Sequence, residues 1–193
     1  MKSDNQEIIR CPWADADPLS RRYHDDEWGV PCHDERHLFK MLILEGKQAG
    51  LSWSTILKKM GTMELAFDGF DPQIMAAYND AKVEQLLQNP GIIRNKLKVN
   101  AAITNAKAYF GLRAAHGSFD AFLWAYVGGK PIVNDWANFS ELPAKTELSD
   151  AISKDLRKLG FKFVGSTIVY SFMQAVGLVN DHLRDCAFRR DKR

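Results

Sequence analysis

The stretch that most restricts what this chain can fold into is Leu38-Phe39-Lys40-Met41-Leu42-Ile43-Leu44, where six of seven residues are apolar. Leu38, Phe39, Met41, Leu42, Ile43 and Leu44 recur at helical spacing, so the segment predicts a buried helix over residues 34–45 around which the chain is organised. The run closes on Glu45, and a carboxylate at the end of a buried helix has either a job or a cost. Gly46 and Gly50 follow, and two glycines within five residues let the backbone turn and come close to a ligand. Residues 51–60 (LSWSTILKKM) then read as a second helix with Trp53 in its first turn, which lets Glu45 and Trp53 face one pocket. A Glu ending an apolar helix is also commonly just a half-exposed residue, so its neighbours must decide.

Those neighbours are helical throughout. Asp17 and Pro18 open a short helix in residues 17–28, Asp71-Pro72 opens another (PQIMAAY), and Asn79 or Asp80 caps AKVEQLLQ, which ends at Asn89-Pro90-Gly91. A long helix is expected from about Ile92 to Ala115, and Ser118 caps FDAFLWAYV. Residues 128–147, with two prolines and two glycines, read as a long irregular connection. Helices follow at Ser149–Leu159 and Ser166–Val176, around a tight Gly160-Phe161-Lys162-Phe163-Val164-Gly165 turn. The chain shows no strand signal of any length, no repeat and no low-complexity segment, so the fold class expected is all-α.

At 193 residues and 46% hydrophobic content the chain can bury a real core, as one unit or two packed helical lobes. It contains no apolar run near the ~20 residues of a membrane span, and MKSDNQEIIRCPW lacks the apolar centre of a signal peptide. A cytoplasmic protein is expected. The net charge of +2 proves no nucleic-acid partner, although positive charge gathers at Arg94, Lys96 and Lys98, at Lys154, Arg157, Lys158 and Lys162, and in the tail Arg189-Arg190-Asp191-Lys192-Arg193. Such groups are most often solvated faces.

Two further constellations carry chemistry. The turn at 160–165, opening into a helix at Ser166-Thr167, offers backbone N–H groups and the positive end of a helix dipole, flanked by Lys158 and Lys162. That suits a DNA phosphate, held in register without reading sequence; an ordinary turn between helices has the same pattern. Cys11 and His24 near the start, with His182 and Cys186 near the end, supply two sulfur and two nitrogen donors, enough for a closed tetrahedral zinc site joining the termini. The His182/Cys186 spacing puts both on one helical face, yet no CxxC is present and core packing explains the same scatter. Three widely separated cysteines make no disulfide framework, and a four-thiolate cluster would need one more.

With these residues assembled, the chain closely resembles the DNA-3-methyladenine glycosylase I family, within the helix-hairpin-helix glycosylases. Four blocks carry the resemblance: Cys11-Pro12-Trp13; Tyr23-His24-Asp25-Asp26-Glu27-Trp28-Gly29-Val30-Pro31; LEGKQAGLSW from Leu44; and Gly160 to Thr167 continuing through SFMQAVGLVNDH. The match runs from about residue 10 to residue 186.

The resemblance implies a helix-hairpin-helix fold, with that motif at about 149–177 of a single catalytic unit spanning 1–193, and one structural zinc on Cys11, His24, His182 and Cys186. It implies a monofunctional, monomeric base-excision-repair hydrolase that flips 3-methyladenine out of alkylated double-stranded DNA, hydrolyses its N-glycosidic bond and releases free 3-methyladenine. Glu45 falls on the base-recognising, catalytic position, and Trp13, Tyr23 and Trp53 on the pocket aromatics. Lys47 to Leu51 matches the loop that enters the minor groove, with Leu51 as wedge, Gln48 beside it and Gly50 in the turn; Lys162, Gly165, Ser166 and Thr167 match the DNA-contacting hairpin. The chain departs from the family at Ser20, where a pocket Tyr is usual, which thins a wall or leaves it to another residue. Thr167 stands where lyase-active relatives carry a Schiff-base lysine, so no strand cleavage is expected. Asp181 and Asp185 are not nominated for catalysis. Competing readings are an alkylpurine glycosylase of broader range, a zinc-tied module that binds damaged DNA without cutting it, and a helical scaffold without salt-dependent DNA affinity.

Overall fold

A computed structural model describes residues 8–189. The basic tail from Arg190 onward and the first seven residues lie outside the described residues. Helices dominate: α1 (Pro18–Asp26), α2 (Glu35–Gln48), α3 (Trp53–Ala66), α4 (Pro72–Ala76), α5 (Asp80–Gln88), α6 (Lys96–His116), α7 (Phe119–Ala125), α8 (Glu147–Lys158) and α9 (Ser166–Ala175). Side-chain caps fix most of their starts: Asp17, Asp34, Ser52, Asp71, Asn79, Asn95, Ser118 and Thr146 each accept a backbone N–H of the first turn, so that α6 begins at Lys96 and not near Ile92, and α8 at Glu147 and not at Ser149.

The apolar run does lie at the centre. In α2, Leu38, Phe39 and every residue from Met41 to Lys47 are buried, and the helix packs on α3, α6, α7 and α9. A helix buried on all sides must be covered by several others, which is what orders the fold. Next to it, Phe119 stacks on both Phe161 and Phe172, with ring centroids 6.2 and 6.1 Å apart, locking α7 and α9 onto the turn between α8 and α9.

Two expectations are corrected here. The helix does not end at Glu45: it runs three residues further, and Gly46 is helical rather than part of a turn. A Cβ on Gly46 would lie 3.2 Å from both Cβ and O of Phe163, so the glycine serves the close approach of α2 to the α8–α9 turn. Only Gly50, at φ +75°, performs the turn. The 128–147 connection also contains a two-residue strand, β1 (Ile132–Val133), which pairs in parallel with β2 (Val179–Asn180). A pair this short leaves no alternation to read in the sequence, but it fastens the connection beside the end of α9. The two ends of the described chain meet, with Ala187 N–H donating to the Ile9 carbonyl at 2.9 Å.

Candidate active site

Trp13, Tyr23, Trp28, Glu45, Gln48 and Trp53 line a pocket of about 430 Å³ together with Thr167, Tyr170, Ser171 and Gln174 of α9 and the segment Phe139 and Leu142–Ala144. That volume is in the range of a small-molecule site. The aromatic side is built in tiers: Tyr23 and Trp53 lie 5.2 Å apart, tilted, while Trp13 stands edge-on to Trp28 at 5.1 Å. Each ring has a rigid support, since Tyr23 and Trp28 come from α1 and its exit, Trp13 from a single 3-10 turn, and Trp53 from the first turn of α3.

Glu45 is 3% exposed, and its Oε2 is buried with no hydrogen-bond partner among the described residues; Trp53 Nε1 is in the same condition. Burial pushes the Glu45 carboxyl up to about 8, so the empty pocket holds it as the neutral acid at pH 7. Burial first, then the charge of Glu45, pushes the Tyr23 phenol well above its usual value. Two unpartnered polar atoms on the wall of an aromatic pocket describe a site that awaits a flat, polar-edged molecule.

The sequence expectations divide here. Glu45, Trp13, Tyr23 and Trp53 are brought together, as read. Gln48, expected at the DNA, lines the pocket as well. Gly50 and Leu51 are exposed at the α2–α3 connection, Leu51 at 40%. Lys47 is corrected: it points inward at 1% exposure, its ammonium 4.1 Å from the centroid of the Phe67 ring, and cannot belong to a surface loop. Burial, then the charge of Lys98, pulls it down to about 7. Lys98, grouped above with surface charges, is buried too, and its ammonium donates to the carbonyls of Lys47 (2.8 Å) and Ala49 (2.5 Å), closing the C-terminal end of α2.

Ser20 does not wall the pocket; it is buried and donates to Asp17 Oδ2 at 3.0 Å. Trp28, and the α9 face of Tyr170, Ser171 and Gln174 beside Thr167, join the pocket beyond the residues expected from sequence; the i, i+3, i+4, i+7 spacing of that face on an apolar helix is the signal that marks it. Phe139 and Leu142–Ala144 had no local signal, because they reach the pocket through tertiary contacts of an irregular segment.

At the α8–α9 turn, Lys162 and Thr167 are exposed, and Gly165 and Ser166 half-buried. The Lys162 N–H is committed to Asn105 Oδ1 at 2.7 Å, while Asn105 Nδ2 donates to the Lys162 carbonyl at 3.0 Å. Asn105 thus clamps the turn onto α6, and the outward N–H groups are those of the first turn of α9.

Near the joined ends, Cys11 Sγ, a His24 ring nitrogen and Cys186 Sγ lie within 4.8 Å of one another, all buried. His24 Nδ1 faces Asp25 Oδ1 at 2.8 Å, which assigns the proton to Nδ1 and leaves the Nε2 lone pair toward Cys186 Sγ, 3.5 Å away. Asp25 is itself held by Arg10, at 2.8 Å. His182, buried, has its ring centroid 4.8 Å from that of His24, and its Nδ1 faces Asn180 Oδ1 at 2.9 Å. That oxygen also accepts the His182 backbone N–H, so the ring proton again lies on Nδ1. Soft sulfur donors, imidazoles whose Nδ1 faces a side-chain oxygen, and a carboxylate behind one ring are a donor set that fits a tetrahedral cation of the zinc type. The hydrogen bond between the two thiols draws Cys186 below the usual thiol value despite its burial, and the same bond raises Cys11.

The methyladenine glycosylase family model matches residues 13–190. The chain belongs to the methyladenine glycosylase family. DNA-3-methyladenine glycosylase 1 of Escherichia coli (strain K12) is 51% identical over 177 residues, covering 92% of this chain and 95% of that protein. DNA-3-methyladenine glycosylase of Haemophilus influenzae is 46% identical over 177 residues, covering 92% and 96%. Among solved structures, 3-methyladenine DNA glycosylase I of Staphylococcus aureus, whose structural study concerns recognition of 3-methyladenine, superposes with a TM-score of 0.91 at 39% identity over 94% of this chain and 97% of that one. The blocks that carry the family resemblance are the segments that form the pocket and the joined ends.

Proposed function

We propose that this methyladenine glycosylase is a base-excision-repair enzyme that hydrolyses the N-glycosidic bond of 3-methyladenine in alkylated duplex DNA and releases the free base. The observation that carries the reading is the buried, unpartnered Glu45 among Trp13, Tyr23 and Trp53; family membership supports the choice of lesion.

Methylation at N3 places a positive charge on adenine, so the glycosidic bond is already weak and the base departs neutral. The site therefore needs recognition more than force. A cationic base between the Tyr23 and Trp53 rings gains cation–π attraction of about 0.5–2 kcal/mol. The arriving cation also reverses the state of Glu45: the acid that burial keeps neutral in the empty pocket gives up its proton opposite a positive charge, and the carboxylate accepts hydrogen bonds from the amino edge. The pair forms only with a charged lesion, so the desolvation cost of Glu45 becomes selectivity against unmodified adenine.

The base must leave the helical stack to reach this pocket. Leu51, exposed beside the left-handed Gly50, is suited to fill the gap in the stack from the minor groove, with Gln48 between wedge and pocket. The exposed Lys162 and the start of α9 at Gly165, Ser166 and Thr167 suit the phosphate-holding half of a helix-hairpin-helix spanning about 149–177. Thr167 offers no amine for a Schiff base, so the activity is hydrolysis without strand cleavage. Cys11, His24, Cys186 and His182 would hold one zinc, whose role at a closed four-donor site is to tie the ends of the fold behind Trp13 and Trp28. The chain acts as one catalytic unit and a monomer, in the cytosol with the DNA; among the described residues no helix is long and apolar enough to cross a membrane.

The test is chromatography of the free bases released from DNA treated with a methylating agent. Release of 3-methyladenine supports the proposal, and a folded sample that releases no base refutes it.

A further inference from the structure

Behind the α9 wall of the pocket lies a second carboxylate. Asp181, fully buried, follows β2 and receives four hydrogen bonds. Its Oδ2 accepts from Tyr170 OH at 2.6 Å and Gln174 Nε2 at 2.7 Å; its Oδ1 accepts from Asn134 Nδ2 and Trp136 Nε1, both at 2.7 Å. Tyr170 and Gln174 line the pocket and Asp181 does not. We propose that Asp181 is a positioning residue that fixes the hydrogen-bond polarity of Gln174, so that Gln174 offers its amide oxygen to the extruded base and favours purines with N–H donors at C6.

An amide side chain can present either end, and a protein fixes the choice only through its partners. Asp181 accepts all four of its hydrogen bonds, so the end of Gln174 that meets it is the NH2 group, and Oε1 is the end left for the pocket. The backbone is fixed as well, since the Gln174 carbonyl accepts from Gly29 N–H at 2.9 Å. Adenine carries an N–H donor at C6 where guanine carries an acceptor oxygen. An amide oxygen in the wall therefore welcomes the first and repels the second. Glu45 reads the charge of the lesion and accepts from its amino edge, and Gln174 adds a second acceptor that separates adenine from guanine.

The chemistry of Asp181→Asn makes the proposal sharp. Trp136 Nε1 can only donate, so the oxygen of the new Asn faces it and the new NH2 faces Tyr170 and Gln174. The hydroxyl of Tyr170 can turn to accept. Gln174 satisfies an NH2 neighbour only by reversing, which turns its own NH2 toward the base. A change of a single group, outside the pocket, inverts an acceptor to a donor inside it.

The inference rests on the glycosylase reading, and one experiment separates their failures. Release of 3-methyladenine and of 3-methylguanine from methylated DNA is measured for the native protein, Asp181→Asn and Gln174→Leu, and the ratio of the two rates is compared. That ratio is unaffected by loss of folded protein, so a merely structural role for Asp181 would not move it. A fall of about tenfold or more in the ratio for Gln174→Leu, and at least as large for Asp181→Asn, is expected. An unchanged ratio in Gln174→Leu overturns the inference and leaves the glycosylase reading intact, and this holds even if Asp181→Asn fails to fold. A native protein that releases neither base overturns both.

Discussion

Glu45→Gln should make the ligand-free protein more stable in neutral and alkaline solution while it removes the function, and the size of the gain follows from the burial of one carboxyl. Glu45 is 3% exposed and lacks a partner for Oε2, which moves its pKa from 4.5 to about 8. In that window the unfolded chain has released the proton and the folded chain still holds it. Stability then falls as pH rises, by about 1.4 kcal/mol per pH unit. The fall begins at the unfolded value of 4.5 and levels off above the folded value of about 8, a total of about 5 kcal/mol. Glutamine has no such titration. Urea unfolding of both proteins at intervals from about pH 5 to about pH 9 gives the difference directly. It should start near zero in acid, grow through neutral pH and reach a plateau in base. A difference that does not change with pH would show that Glu45 is solvated or paired in the empty site, and the argument that a cationic base is selected through that carboxyl would fail with it.

Other outcomes follow from named contacts. Lys47→Met should raise the unfolding free energy by about 5 kcal/mol below about pH 7, where the folded chain carries a buried charge, with the gain shrinking as pH climbs from about 7 toward 10.5, where the folded amine is neutral while the unfolded one is charged; denaturant titrations at the two ends of that range decide it. Gly177→Ala should cost several kcal/mol, on the order of 3 or more, since the position has φ +69° and a Cβ there would lie 2.3 Å from the Val30 carbonyl carbon; a melting temperature within a few degrees of native would contradict this. Leu51→Ala, at a 40% exposed side chain, should leave stability within about 0.5 kcal/mol and weaken binding to a lesion-bearing duplex; a loss of several kcal/mol would place Leu51 in the core instead. Elemental analysis of the purified protein should find one zinc per chain, and its removal by a chelator should lower the melting temperature. A metal-free protein with unchanged melting would remove the zinc from this account.

How far the sequence could be read depended on how local each signal was. The central helix was legible because six apolar residues at helical spacing permit little else, and helix starts were legible because caps such as Asp17, Asn79 and Ser118 act within their own first turn. The far end of α2 was not, since Gly46 stays helical for the sake of Phe163, over a hundred positions away. Lys47 and Lys98 were misread for the same reason: a lysine in sequence is a surface charge until tertiary packing supplies a ring or a carbonyl for it. Half of the pocket escaped, too. Glu45 and the aromatics cluster in motifs, whereas Tyr170 and Gln174 meet the connection that carries Phe139–Ala144 through Asp181, which also accepts from Asn134 and Trp136, and through a two-residue strand pair. The resemblance added the roles of residues whose proximity spacing alone left open.

The most direct test of the central claim is single-turnover release of 3-methyladenine from a duplex carrying that base, compared between the native protein and folded Glu45→Gln and Trp53→Ala variants. The account predicts release by the native protein and a loss of at least about tenfold in each variant, with no strand cleavage in any sample. Equal release from all three would show that the chemistry happens elsewhere than in the Glu45 pocket.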